Sequence, residues 1–267
     1  MLLLLLSCTH QPLPEFPTPA IGGDRPAGLI APAGWDGEET LPVVFLLHGL
    51  GSHAKQQDRY LGFSREVDNQ NFLLVLPDGM RRSKDNKRSW NATDYCCNPD
   101  VDDVAYLTGL MDELERLGAE AFYFTGHSNG GFMSYRMACE VPERIEAIAG
   151  LAGSTWLDLE DCTVGSPMDV LQIHGTDDNT VPFDGKPDKH PGVRETMERW
   201  AERAGCTGSA EEDPLNLVRR PGEDTQRRVW SCPDEHRVEL WSIDGAGHIP
   251  LVNPDYSREV IRWLLAD

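Results

Sequence analysis

The apolar positions of this chain gather into short, unbroken runs, each closed by a turn-forming residue. Val43 to Leu47, bounded by Pro42 and His48-Gly49, has the length and continuity of a strand buried on both faces. Similar runs lie at Phe72 to Leu76, Phe122 to Thr125, Ile145 to Leu151, Val170 to His174 and Val238 to Ile243. Between them the spacing changes to that of helices. From Val101 to Leu117 the residues Val101, Val104, Leu107, Met111, Leu114 and Leu117 keep near-helical intervals, Asp102 and Asp103 suit the positive end of that helix, and Gly118 stops it. Further helices are predicted over Asn129 to Cys139, Gly192 to Ala204 and Asp255 to Leu265, while the polar stretch Thr207 to Arg228 reads as a surface excursion.

Strands alternating with helices imply a mostly parallel, doubly wound α/β sheet covered on both sides, with its chemistry at the carboxyl ends of the strands. A chain of 267 residues with 40% hydrophobic and 25% charged residues can bury a core as a single catalytic domain. The net charge of −20 repels nucleic acid and anionic lipid, so neither is expected as a partner.

The chain opens Met1, Leu2 to Leu6, Ser7-Cys8, a run too short to cross a membrane. It reads as a signal-peptide remnant over 1–8 whose Leu5-Leu6-Ser7-Cys8 resembles a bacterial lipobox, with Cys8 the lipidation site and the only membrane link. Residues 9–25 read as a Pro-rich tether and 26–267 as the catalytic domain. Such a protein is secreted or held at the bacterial cell surface. The other cysteines, Cys96, Cys97, Cys139, Cys162, Cys206 and Cys232, are even in number and suit disulfides in an oxidising compartment. Their spacing is not that of a zinc chelate, and no metal or cofactor is expected. Cys206 and Cys232 are placed to bridge across the polar excursion. For the remaining four, each of Cys96 and Cys97 joined to a distant partner is preferred, with Cys139 to Cys162 left open.

After the strand ending at Thr125 comes Gly126-His127-Ser128-Asn129-Gly130-Gly131 and a helical run, a G-x-S-x-G turn in its strand-turn-helix setting. Ser128 is the candidate nucleophile, and a serine hydroxyl needs a base within hydrogen-bond reach. Of eight histidines, His248 follows the last strand on a glycine-rich loop and is the candidate base; His174 reads as buried structure, and His127 is expected to point elsewhere. The acid should lie between them in chain order, and His174 to Pro182 offers Asp178, with Asp177 as its rival. Backbone N–H groups of Leu50 and Asn129 are the expected oxyanion donors. Trp90 and Trp156 are candidate walls of a substrate pocket.

Leu46-Leu47-His48-Gly49, Pro77-Asp78-Gly79, Trp90-Asn91 with Cys96-Cys97, Val101 to Val104, Gly126 to Met133, His174-Gly175-Thr176 with Asp178, Trp200 with Gly205-Cys206, and Gly247-His248 together carry a resemblance. The chain resembles the extracellular α/β-hydrolase esterases grouped with short-chain polyhydroxybutyrate depolymerases and feruloyl or acetylxylan esterases. The resemblance implies a serine carboxylic ester hydrolase with Ser128, Asp178 and His248 as its triad, acting on an ester substrate that can be polymeric, with a monomer expected. Ile249-Pro250-Leu251 departs from the Trp-Pro-Gly of depolymerase-like members, so feruloyl or acetyl esters of plant polysaccharide lead and a polyester is the alternative. A serine peptidase and a non-catalytic surface lipoprotein are the more distant readings.

Overall fold

The computed structural model describes residues 21–266 except 98–99, 159–160, 163–166, 221, 223 and 234–235. In chain order its elements are β1 (Gly28–Ile30), β2 (Val43–Leu47), α1 (Ala54–Leu61), α2 (Val67–Gln70), β3 (Leu73–Leu76), β4 (Met80–Arg81), β5 (Arg88–Ser89), α3 (Asp103–Glu115), β6 (Phe122–His127), α4 (Asn129–Glu140), β7 (Ala147–Leu151), β8 (Asp169–Gly175), α5 (Val193–Arg203), β9 (Ser209–Leu215), β10 (Thr225–Trp230), β11 (Val238–Ile243) and α6 (Pro254–Leu264). Nine strands form one sheet in the order β1-β3-β2-β6-β7-β8-β11-β10-β9. From β3 through β11 every neighbouring pair is parallel, and the antiparallel partners stand only at the two edges.

The continuous apolar runs become central strands because both faces of the sheet are covered. In β2, Val43, Phe45 and Leu47 face one core and Val44 and Leu46 the other, as the two-residue period of a strand requires. The first core is closed by Leu107 and Met111 of α3, Tyr135 of α4 and Trp200 of α5. The second is closed by Leu61 of α1 and by Tyr256, Val260 and Ile261 of α6. Helix α3 is capped by Asp102, whose carboxylate accepts from the Ala105 N–H at 2.9 Å. Asp103 instead turns inward, fully buried, to pair with Arg25 at 2.7 Å.

Three expectations are corrected. The stretch Thr207 to Arg228 is not a loose excursion: it supplies β9 and β10, an antiparallel extension of the sheet. Cross-strand charges hold it, Arg228 with Glu211 and Arg227 with Glu239, and such pairs leave no apolar alternation to read. The outermost strand carries Glu211, Glu212, Asp213 and Pro214, a charged edge that resists pairing with another chain. The tether does not reach residue 25, because Ile21 is buried in the first core and Arg25 is fixed by Asp103 and by the Asp78 carbonyl. The leader, Cys8 and the rest of the tether lie outside the described residues.

The disulfides are Cys206–Cys232, Cys139–Cys162 and Cys96–Cys97. The first is the expected bridge across the excursion. The preferred distant partners for Cys96 and Cys97 are not found: the end of α4 brings Cys139 to 5.1 Å from Cys162 between Cα atoms, which leaves the adjacent pair only each other.

Candidate active site

Strand β6 runs straight into Ser128, which takes φ 56° and ψ −120° before α4 begins. This left-handed turn lifts the side chain above the sheet edge. Its glycines are required by contact: a β-carbon on Gly126 would lie 2.5 Å from the Gly130 carbonyl carbon, and one on Gly130 would strike the Leu47 carbonyl of β2. The Ser128 N–H is tied to the Leu151 carbonyl at 2.8 Å, so β7 fixes the turn from the other side.

His248 reaches the serine from the loop after β11. Its Nε2 lies 2.8 Å from Ser128 Oγ and its Nδ1 lies 2.7 Å from Asp178 Oδ2. Asp178 is buried at the end of β8, and its other oxygen accepts from the N–H groups of Thr180 at 2.8 Å and Val181 at 2.9 Å. The His174 Nε2–H is shared between the Val181 carbonyl at 2.8 Å and Asp178 Oδ2 at 3.3 Å, while its Nδ1 accepts from Gln172 at 2.9 Å. Burial by itself would raise the Asp178 carboxyl. Hydrogen bonds from His174, His248 and the Val181 N–H outweigh it and hold the group well below the usual carboxylate range, so it is a fixed negative charge facing His248. Asp177, one residue earlier, is exposed and forms no part of this chain of contacts.

His127 does not point elsewhere. Its Nε2 donates to the His248 carbonyl at 2.8 Å, and its ring lies 5.0 Å from that of His248. Burial drives its pKa down to about 4, so it is neutral and presents one N–H. His48 is likewise pulled to about 4 by burial, against the opposing pull of Asp78. It donates from Nδ1 to the Gly49 carbonyl and accepts the Gly79 N–H at Nε2, both at 2.9 Å. Its neutral form thereby fixes the start of the loop that carries Leu50.

That loop and the head of α4 face the serine. Leu50 is 41% exposed at the mouth of the site, and Asn129 begins the helix. Among the described residues neither backbone N–H has an acceptor. Trp90 joins the two, and its expected place in a pocket wall is corrected. It is wholly buried, its N–H donates to Asn129 Oδ1 at 2.7 Å, its carbonyl accepts from Asn129 Nδ2 at 3.0 Å, and its indole donates to the His48 carbonyl at 2.9 Å. Trp156 is also core, buried in the first cluster, because the loop after β7 folds it inward.

The open cleft over Ser128 and His248, about 560 Å³, is lined instead by Leu50, Gly51, Gln56, Tyr60, Lys87 and Ile249 among others. Gln56 and Tyr60 stand on α1, a short polar helix with no apolar run to mark it, and Lys87 stands on the β4–β5 hairpin. Tyr60 donates to the Pro250 carbonyl at 2.9 Å and edges onto His127, which ties α1 to the histidine loop.

Comparison with known proteins agrees with this architecture. The chain is 28% identical over 232 residues to a protein named as an esterase, NocK of Nocardia uniformis subsp. tsuyamanensis, covering 79% of this chain and 65% of that one. It is 26% identical over 231 residues to Feruloyl esterase B of Piromyces equi, covering 81% of this chain and 41% of that one. The chain therefore spans less than two thirds of the length of either relative. Its fold matches the acetyl xylan esterase of Aspergillus awamori with a TM-score of 0.63, at 14% identity over 90% of this chain and 94% of the other. A family model described as the alpha/beta hydrolase fold matches residues 42–185, from the first central strand past the acid loop. With that match over more than half its length, and a parallel sheet that delivers a serine elbow, an acid and a histidine in that order, this chain belongs to the α/β-hydrolase fold family.

Proposed function

We propose that this protein is a serine esterase that cleaves carboxylic esters through an acyl-enzyme, with Ser128 as nucleophile, His248 as base and Asp178 as the acid that orients it. The observation that carries the reading is the unbroken contact from Asp178 through His248 to Ser128 Oγ, at 2.7 and 2.8 Å, on a strained elbow that opens to a cleft. The Ser128 hydroxyl passes its proton to His248 Nε2 as Oγ bonds to the ester carbon, and the carbonyl oxygen takes the negative charge. Backbone N–H groups of Leu50 and Asn129, the latter at the positive end of α4, are the donors proposed for that oxygen. The tetrahedral species then expels the alcohol, which takes the proton from His248. Water, deprotonated by the same imidazole, releases the acid and restores Ser128.

Feruloyl or acetyl esters of plant polysaccharide are the proposed substrates, in keeping with the names of the relatives. A short-chain polyhydroxyalkanoate is the second reading, favoured by the exposed Leu50 and Ile249 that line the cleft. Export of the protein is proposed with them, since three disulfides suit an oxidising compartment. One panel of methyl ferulate, acetylated xylan and hydroxybutyrate oligomers, run with the unaltered protein and with Ser128→Ala, tests these readings. Turnover and fluorophosphonate labelling are expected for the former, and a loss of roughly 10⁴-fold or more in kcat for the latter. Ester turnover surviving in Ser128→Ala would reassign the nucleophile.

A further inference from the structure

The chain carries 44 acidic against 24 basic residues, and only five of the latter are lysines. The cleft over Ser128 inverts that balance: among the described residues no carboxylate lines it, and Lys87 is the one lysine or arginine that does. Lys87 belongs to the segment Met80 to Ser89, where Arg81, Arg82, Lys84, Lys87 and Arg88 stand against a single acid, Asp85. The arginines of this hairpin are occupied. Arg82 pairs with Asp85, Arg81 donates to the Asn86 carbonyl at 2.7 Å, and Arg88 pairs with Asp78 at 3.2 Å. The Lys87 ammonium has no ion pair among the described residues.

Its position is built. The Gly51 N–H donates to the Arg88 carbonyl at 2.8 Å, which fastens the hairpin to the loop that carries Leu50. The Lys87 stem lies across Gly51, where an added β-carbon would meet its Cδ at 3.6 Å. A lysine stem laid on backbone leaves its charged head in solvent, and Lys87 is exposed on the wall of the cleft. A protein of net charge −20 repels anionic molecules at long range, whereas a lysine on the cleft wall, whose neighbouring acid Asp85 is held by Arg82, acts within the Debye length of about 8 Å, where a bound substrate would feel it.

We propose that Lys87 is a specificity-determining residue that binds a carboxylate borne by the substrate near its scissile ester. The class is thus acidic esters, either half-esters of dicarboxylic acids or esters of alcohols that carry a carboxylate, as acidic sugars do. This inference rests on the esterase reading above and narrows it.

Two matched pairs of probes test it on the whole protein. Mono-4-nitrophenyl glutarate against 4-nitrophenyl butyrate places the charge on the acyl part; the acetate of 4-(hydroxymethyl)benzoic acid against benzyl acetate places it on the alcohol part. The readout is the ratio of kcat/KM, charged over neutral, within each pair. In at least one pair Lys87→Ala is expected to lower that ratio about fivefold, as for a partly exposed ion pair, with a larger fall for Lys87→Glu and recovery in Lys87→Arg. Raising salt should lower the ratio in the unaltered protein and leave it flat in Lys87→Ala. Ratios that Lys87→Ala and Lys87→Glu leave unchanged in both pairs overturn the inference alone. Failure of the unaltered protein to hydrolyse even the neutral esters overturns the esterase reading on which it stands.

Discussion

His127 Nε2 and the backbone carbonyl of His248 stand 2.8 Å apart, so the residue beside the elbow serine holds the loop of the histidine that reaches that serine. The bond joins β6 to the turn after β11 and sets the height of the imidazole over Ser128 Oγ. Burial lowers the His127 pKa to about 4, so at neutral pH the ring is uncharged and its single N–H is committed to this bond. His127→Ala is expected to lower kcat roughly 10- to 100-fold with little change in KM, as for misplacement of a catalytic group by an ångström or less. His127→Gln, which retains a donor, should recover part of the loss. Steady-state kinetics on both variants decide the matter, and equal activity in all three proteins would remove His127 from a positioning role.

Asp178→Asn is expected to depress kcat by about 10⁴-fold, since an amide in place of the carboxylate favours the wrong tautomer of His248. Asp177→Asn should stay within about a factor of three, because that side chain is exposed. Parallel kcat measurements on the two variants compare them directly; equal losses would place the acid one residue earlier.

Trp90→Phe keeps the buried ring but removes the indole N–H that binds the His48 carbonyl at 2.9 Å. The expected cost is about tenfold in kcat as the Leu50 loop loosens, a fraction of what deletion of a whole oxyanion donor costs. An unpaired buried carbonyl should also cost about 1–3 kcal/mol of stability. Kinetics paired with denaturant melts separate the two effects, and a loss of stability without any change in kcat would confine Trp90 to the core.

Stability should fall between pH 6.5 and 4. His48 and His127 have folded values near 4 against 6.5 when unfolded, so within that window the unfolded chain binds more protons and acid favours it. Each histidine contributes on the order of 3 kcal/mol, lost progressively from pH 6.5 down to 4. Asp178 is displaced in the same direction from a lower starting value, so its contribution is complete above the ordinary carboxylate value and is lost only at lower pH. Urea midpoints at pH 7, 5.5 and 4.5 measure this, and a flat profile would show that the two imidazoles are solvated.

Replacing Cys206 and Cys232 with serine opens the bridge that closes β9 and β10 over 26 residues. The chain-entropy relation puts the loss at roughly 3 kcal/mol. Denaturant melts under non-reducing conditions test it, with activity expected to persist because the clamp lies at the sheet edge away from β6. A shift below about 1 kcal/mol would mean that the charge pairs of Arg227 and Arg228 hold the extension unaided.

The central strands and the elbow were legible in the sequence because local rules govern them. Val43 to Leu47 is unbroken and apolar since both its faces are buried, and Gly126-x-Ser128-x-Gly130 is spelled out by contacts within five residues and the strand beside them. Chain order and the loop after the last strand then confined the candidate acid to Asp177 or Asp178, with Asp178 preferred, and the candidate base to His248. What only the tertiary structure decided depends on residues far apart in the chain. Strands β9 and β10 are polar, and their pairing is written in charges that match only across the sheet, as Arg228 meets Glu211. Cys96 and Cys97 bridge each other because α4 delivers Cys139 to Cys162. Trp90 and Trp156, read as pocket walls by residue type, are packed into the core, and the cleft falls to Tyr60 and Lys87, which no periodicity marks. A side chain's type fixes what it can do; its neighbours across the fold fix whether it faces substrate, and those neighbours are set by packing and not by sequence distance.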